Sequence, residues 1–292
     1  MNVLSLFDGM SCGRIALDKA GIKVSNYYAS EIDKHAINVS KKNYPDIIQV
    51  GNIIDLKGSD FKNITLLIGG SPCQSFSRNG DGSGFSGKSK LFFEYVRILK
   101  EVNPEYFLLE NVVMKKEWEN VISEILGVEP ILIDSKLVSA QKRQRLYWTN
   151  IPEVKQPKDK GINLKDIISG DHEIINDNDV VLGRACKDFI IKNGTNKGYL
   201  IAENGDGVNL EFPNSKTRRG RVSKSKINTL NCGCNYGVVI DGNLLKLNIT
   251  DIERLQTIPD NYTEGVSENQ RRKMIGNGWT VDSITHIFKS IN

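Results

Sequence analysis

The 292 residues, 25% charged and 39% apolar, suit one large soluble domain or a domain with a smaller insert, and no apolar run is long enough to cross a bilayer. A net charge of +4 is too small to name a partner, and five cysteines without two CxxC pairs read as reduced thiols rather than a metal site. The opening MNVLSLFDGM lacks the basic start and cleavage pattern of a secretion signal, so a cytoplasmic protein is expected.

Short apolar runs at residues 3–7, 26–30, 47–50, 65–68, 106–109 and 131–133 predict strands. Between them lie a short helix over 14–20, stopped by Gly21, and a helical pattern in Leu91, Tyr95, Ile98 and Leu99. This alternation predicts a doubly wound α/β sheet, with a further strand at 146–151. After Pro152 the composition becomes linker-like, and residues 170–245 are rich in Asn, Gly and Asp, with β-like runs at 199–202 and 237–240 that predict a small β-rich domain. Helical spacing returns in ITDIERLQTI and in TVDSITHIFKS, where Val281, Ile284, Ile287 and Phe288 share a face. The expected organisation is therefore a large domain over 1–152, a small one over 153–244, and a return segment over 245–292 that completes the first.

Candidate chemistry gathers where the strands end. FDGMSCG puts Gly9 and Gly13 at the turn from the first strand into a helix, where glycine lets a ligand approach the backbone, and the second strand ends at Glu31, which can accept from ribose hydroxyls. Together they suggest a cofactor containing a nucleoside. The fourth strand runs into GGSPC, where Pro72 stiffens the chain before Cys73 and residues 78–90 are rich in Gly and Ser, a rigid nucleophile beside a lid. The fifth strand ends in Glu110. In SAQKRQRLYW, period two would direct Arg143 and Arg145 to one face, with fixed donors for a base carbonyl or a phosphate; a surface ion pair is the plain alternative. SKTRRGRVSKSK holds Lys216, Arg218, Arg219, Arg221, Lys224 and Lys226 without an acid, which is a solvated loop or, with a nucleic-acid partner, a phosphate-binding segment. Cys232 and Cys234 in NCGCN lack nearby histidines and read as a packed turn, so no metal is expected.

FDGMSCG, GGSPCQSFS, ENV, QKRQR, RLQTIPDNY and IGNGWT occur in the order found in DNA cytosine-5 methyltransferases, and the chain resembles that family from end to end. The large domain resembles both bacterial or phage modification enzymes and the catalytic domain of the animal de novo DNA methyltransferases; residues 153–220 lack motifs that can be placed.

The resemblance implies a Rossmann-like S-adenosylmethionine-dependent sheet, a small β-rich target-recognition domain, and double-stranded DNA as partner, with no obligatory protein partner. It implies attack by Cys73 on carbon 6 of a flipped cytosine, with Glu110 on ring nitrogen 3 and the exocyclic amine. Arg145 and Arg143 would hold the base oxygen and the loop. Phe7, Gly9, Gly13, Glu31, Asn52 and Asn277 would contact the cofactor, and Gln74, Ser75 and Arg78 the DNA, beside Lys216, Arg218, Arg219 and Arg221. Asn52 replaces the family's usual Asp, and Ser11 and Cys12 replace its glycine-rich turn. An RNA cytosine methyltransferase is one rival reading, but its usual PPC is SPC here; a DNA-binding protein without catalysis is the other, and every catalytic residue named is present.

Overall fold

The computed structural model describes residues 1–72, 91–175 and 179–291. Along the first half run β1 (Asn2–Leu6), α1 (Cys12–Lys19), β2 (Asn26–Ser30), α2 (Lys34–Asn43), β3 (Ile48–Gln49), β4 (Leu66–Gly69), α3 (Leu91–Val102), β5 (Tyr106–Val112), α4 (Lys116–Leu126), β6 (Ile131–Asp134), β7 (Gln141–Lys142) and β8 (Gln144–Thr149). The second half contains β9 (Val181–Ala185), β10 (Asp188–Lys192), β11 (Tyr199–Ala202), β12 (Gly207–Asn209), β13 (Val222–Ser223), β14 (Ile227–Asn228), β15 (Tyr236–Ile240), β16 (Asn243–Lys246), α5 (Ile249–Leu255), α6 (Glu268–Asn277) and α7 (Val281–Phe288). Among the described residues no helix is long and apolar enough to cross a membrane.

The chain divides into two compact units, one of Met1–Asp134, Gln144–Pro157 and Val281–Asn292, the other of Ser135–Arg143 and Lys158–Thr280. In the first, a seven-stranded sheet has the order β3-β2-β1-β4-β5-β8-β6. The pairs from β3 to β5 are all parallel, and β8 runs against both its neighbours. Strands covered on both faces read as unbroken apolar runs, which is why β4 is buried throughout and β5 is buried from Phe107 to Asn111. Winding outward through β2 and β3 and then the other way through β4 and β5 makes β1/β4 the point where the direction of winding reverses, the place in such sheets where ligands bind beyond the strand ends. Val281, Ile284, Ile287 and Phe288 form a buried face of α7, which packs beside α1 and adds the ion pair Lys19–Asp282. The helices α2, α4 and α6 are additions to the predicted set; α2 starts where Asp33 accepts from His35 N at 2.9 Å.

The second unit is β-rich as expected, with antiparallel sheets β11-β10-β9 and β13-β12-β15-β16 around Phe189, Ile191, Val208, Leu210, Val239 and Leu244. Its limits differ from the sequence reading, because residues 245–280 pack with it and only Val281 onward returns. Buried polar side chains explain the difference. Gln141 Nε2 donates to Leu255 O at 3.1 Å and Gln256 Oε1 at 3.0 Å, Gln256 Nε2 donates to Ile275 O at 2.8 Å, and Thr280 Oγ1 donates to Gln256 Oε1 at 2.7 Å. Each partner removed would leave a desolvated polar atom, so β7, α5 and α6 form one piece.

The helix α6 also packs by backbone contact: a Cβ on Gly276 would lie 2.2 Å from Asn231 O. Gly276→Ala should therefore lower unfolding stability by about 1–3 kcal/mol through overpacking, read as a shifted denaturant midpoint; an unshifted midpoint would show that the 231–232 backbone gives way freely.

Candidate functional site

The carboxyl ends of β1, β2 and β3 bring together Phe7, Gly9, Gly13, Glu31 and Asn52 of the expected cofactor residues. Between β1 and α1 the backbone turns left-handed at Phe7 (φ 57°), Gly9 (φ 61°) and Ser11 (φ 65°), a costly conformation for the two non-glycine residues. Glu31 holds this turn against the end of β2. Its Oε2 accepts from Gly9 N at 2.7 Å, and its Oε1 accepts from Ile32 N at 2.7 Å and Asp33 N at 2.8 Å. Gly13 is buried in α1, Phe7 packs on the core, and Asn52 caps a short turn of helix by accepting from Ile54 N at 3.3 Å. A Cβ on Gly9 would meet nothing within 4 Å, so the turn faces open space, and Ile32, beside Glu31, is 73% exposed. An exposed large apolar residue beside a fixed carboxylate was not among the sequence candidates; its signal was an isoleucine directly after the strand-end acid.

Asp8 is a second residue the sequence reading passed over. It is buried, and it accepts from Ser11 Oγ at 2.5 Å and Tyr27 OH at 2.7 Å. Burial lifts its carboxyl from the ordinary 3.8 to about 6, against hydrogen bonds from Ser11, Ser5 and Tyr27 that pull it down; the nearby Glu31 charge adds to the rise.

At the ends of β4 and β5 the geometry is that of a held carboxylate. The antiparallel register sets Tyr147 opposite Glu110 and Arg145 opposite Val112, so Arg145 and Glu110 are diagonal neighbours on one face. Arg145 Nε lies 2.9 Å from Glu110 Oε1, with the two side chains 13% and 12% exposed. Next to Glu110, Asn111 reaches back to Ser71, two residues before Cys73 in the sequence: its Nδ2 donates to Ser71 Oγ at 3.1 Å and Ser71 O at 3.4 Å, while its Oδ1 accepts from Val112 N at 2.8 Å. A buried amide inside an apolar strand was the signal for Asn111. Cys73, Gln74, Ser75 and Arg78 lie outside the described residues.

Other candidates are placed differently from the expectation. The strand breaks at Arg143, between β7 and β8, so period two does not align Arg143 with Arg145. Arg143 belongs to the second unit, where it is buried and donates to Leu230 O at 3.3 Å, Gly276 O at 3.2 Å and Gly278 O at 3.0 Å. Asn277 also lies in the second unit, at the end of α6, where its Oδ1 accepts from the Cys232 thiol at 3.2 Å. Of the basic segment, Arg221 is 1% exposed and spent on main-chain carbonyls, Lys224 pairs with Glu203 and Asp206, and Lys226 donates to Ser139 O and Ile162 O. Lys216, Arg218 and Arg219 remain on the surface, Lys216 and Arg219 exposed and Arg218 half-buried. Cys234 is buried, which pushes its thiol up to about 12, and it donates to Asn231 O at 2.8 Å. Among the described residues no group of three or more His, Cys, Asp or Glu is arranged to hold a metal ion.

The sequence model of the family described as C-5 cytosine-specific DNA methylase matches residues 1–292. The chain is 29% identical to the type II methyltransferase M1.ScrFI of Lactococcus lactis subsp. cremoris, over 97% of this chain and 75% of that protein. It is 25% identical to the type II methyltransferase M.HhaI of Haemophilus parahaemolyticus, over 100% of this chain and 94% of that protein. Its fold is that of a proposed DNA modification methyltransferase encoded in an E. coli prophage, with a TM-score of 0.71 at 20% identity over 100% and 98% of the two chains. It is likewise that of Spodoptera frugiperda DNMT2, with a TM-score of 0.68 at 20% identity over 99% and 98%.

The Asp8 carboxyl sets a pH dependence. Its folded value of about 6 lies above the ordinary 3.8, so the folded chain binds the proton more tightly. The resulting stability is fully present below the ordinary value and is lost as pH rises to about 6, amounting to roughly 3 kcal/mol. Asp8→Asn should abolish this fall; unfolding free energies of the two proteins that run parallel between those limits would refute the role of Asp8.

Proposed function

Because the chain belongs to the C-5 cytosine-specific DNA methylase family, we propose that it transfers a methyl group from S-adenosylmethionine to carbon 5 of a flipped cytosine within a specific sequence of double-stranded DNA. The single observation that carries the site assignment is the Glu110–Arg145 pair at the end of a buried strand, one residue from the amide that holds Ser71. The type II methyltransferase names of its relatives support a sequence-specific modification enzyme acting on DNA.

The residues around Gly9 fit the cofactor. The open space at Gly9 admits a ligand against the backbone, the Glu31 carboxylate is fixed by three amides with lone pairs left for ribose hydroxyls, and Ile32 offers an apolar surface for an adenine. When bound, S-adenosylmethionine supplies an electrophilic methyl group. Phe7 and Asn52 line the same strand ends, and Asn277 is assigned to the cofactor by its IGNGWT motif alone.

Cytosine carbon 5 is not nucleophilic in the aromatic ring. The Cys73 thiolate adds to carbon 6, forming a sulfur–carbon bond and an enamine whose carbon 5 can take the methyl group. A proton shared between Glu110 and ring nitrogen 3, with the other carboxyl oxygen accepting from the exocyclic amine, neutralises the negative charge that addition places on the ring. Arg145 fixes the position of the Glu110 carboxyl through its bond to it. Loss of the carbon 5 proton then expels the thiolate and restores aromaticity. Asn111 fixes Ser71, two residues before Cys73 in the sequence.

Three measurements test this reading. A duplex carrying 5-fluorocytosine at the target cannot lose a proton from carbon 5, so a denaturant-resistant adduct should accumulate and map by mass spectrometry to Cys73; an adduct on Cys12, Cys186, Cys232 or Cys234, or full methylation by the Cys73→Ser protein, would overturn the mechanism. Equal or faster methylation of RNA cytosine would overturn the choice of DNA. Glu31→Ala should weaken S-adenosylmethionine binding by about 1.5–3 kcal/mol, the worth of hydrogen bonds to a charged group, and calorimetric affinity equal to that of the parent protein would remove Glu31 from the cofactor site.

A further inference from the structure

Residues 210–221 join β12 to β13, and the backbone of this hairpin loop is tied down with unusual completeness. Arg221, 1% exposed, donates from Nη1 to Asn209 O at 3.2 Å and Glu211 O at 2.8 Å, and from Nη2 to Phe212 O at 2.8 Å. Lys192 Nζ reaches Pro213 O at 3.3 Å, Gly194 N donates to Arg218 O at 2.7 Å, and Asn228 Nδ2 donates to Gly220 O at 2.9 Å. Ser215 N closes a turn onto Phe212 O at 2.9 Å, and Ser215 Oγ accepts from Arg218 N at 3.2 Å.

The outcome of all this bracing is an aromatic residue held in water. Phe212 is 65% exposed and has φ 50°, the left-handed region that a β-carbon disfavours. Both features work against folding, since an aromatic side chain left in solvent contributes little burial and the left-handed backbone is strained. A buried arginine whose donors converge on the carbonyls at and before Phe212 shows that the strain is held by specific contacts. The Arg218 guanidinium stands over the ring, 5.1 Å from its centroid, and the stretch 212–221 also carries the exposed Lys216 and Arg219 and no acid, while the carboxylate of the preceding Glu211 accepts from Asn231 Nδ2 and Asn235 N.

We propose that Phe212 is a specificity-determining residue that meets a base edge in the major groove of the target DNA, with Lys216, Arg218 and Arg219 on the flanking phosphates; the proposal rests on the reading of the chain as a DNA methylase. In the major groove pyrimidine methyl groups are read by apolar side chains, and exposed cations beside the reader fix it on the backbone. The rigid loop matters for the same reason: a tip already ordered in the free protein loses little freedom on binding, so a mismatched base cannot be accommodated by loop movement.

The test uses the full chain in two variants. Phe212→Ala protein, applied to a randomised duplex library and read by base-resolution methylation sequencing, should lose roughly tenfold in discrimination at one position of the recognised sequence, with S-adenosylmethionine affinity unchanged. A sequence profile identical to that of the parent protein overturns the assignment. Phe212→Trp protein should show indole emission quenched by target duplex beyond the change in the parent protein, and emission that ignores duplex overturns it as well. Absence of DNA methylation by the parent protein would count against the methylase reading; the emission titration still decides whether position 212 touches DNA.

Discussion

Glu110 follows the buried apolar run Phe107, Leu108 and Leu109 on β5, and a carboxylate in that setting is stabilised by a cation in contact. The sheet supplies one by running β8 antiparallel against β5, which places Arg145 diagonal to Glu110 at 2.9 Å. A parallel neighbour would have needed a crossover connection and would have presented a different register. The reversal of direction at β8 is thus tied to Glu110: without it the acid would lack its Arg145 partner and the fixed orientation that partner gives it. Glu31 solves the same problem by another route, accepting from three backbone amides instead of a side-chain cation. Two strand-end carboxylates in one unit are therefore held by different partners, which suits one to a ring edge and the other to hydroxyls.

Much of this was legible in the sequence because parallel strands covered on both faces must be apolar throughout, and their ends are marked by the first polar residue. The runs ending before Asp8, at Ser30, at Gly69 and at Glu110 announced themselves in that way, and so did the amphipathic face of α7. The helix α6 did not, since ENQRRKMIGN has almost no apolar periodicity; long-range contacts hold it, such as Arg271 to the buried Glu253 at 3.1 Å and Arg272 to Cys234 O at 2.7 Å. The division of the chain at 280 instead of 244 has the same origin. Gln141, Gln256 and Thr280 are unremarkable polar residues in a sequence, and their mutual hydrogen bonds exist only once the fold has brought them together.

Arginine was the residue type hardest to read, for a reason that lies in its chemistry. Five donors in a planar fork suit a guanidinium equally to a phosphate, a carboxylate or a set of main-chain carbonyls. Arg145 takes the carboxylate. Arg143 and Arg221 each take three carbonyls, at 230, 276 and 278 and at 209, 211 and 212. Composition cannot separate these uses, because all of these arginines lie in locally basic sequence and differ only in what surrounds them after folding.

Carbonyl-bound arginines occur where regular structure stops. Main-chain acceptors in a helix or sheet are satisfied by the ladder, whereas a loop that leaves it must find other donors or face water. Arg143 supplies them where α6 ends, inside the IGNGWT motif, and Arg221 supplies them at the base of the loop that presents Phe212. In both cases a segment without secondary structure is fixed by one side chain reaching several carbonyls at once, and the residues it fixes keep their own side chains directed outward or to other partners. A cation buried in this way contributes nothing to phosphate binding, yet it determines where the exposed cations and the aromatic ring beside it stand. The basic segment is consequently two things in one stretch of sequence: a scaffold built on Arg221, Lys224 and Lys226, and a surface made of Lys216, Arg218 and Arg219.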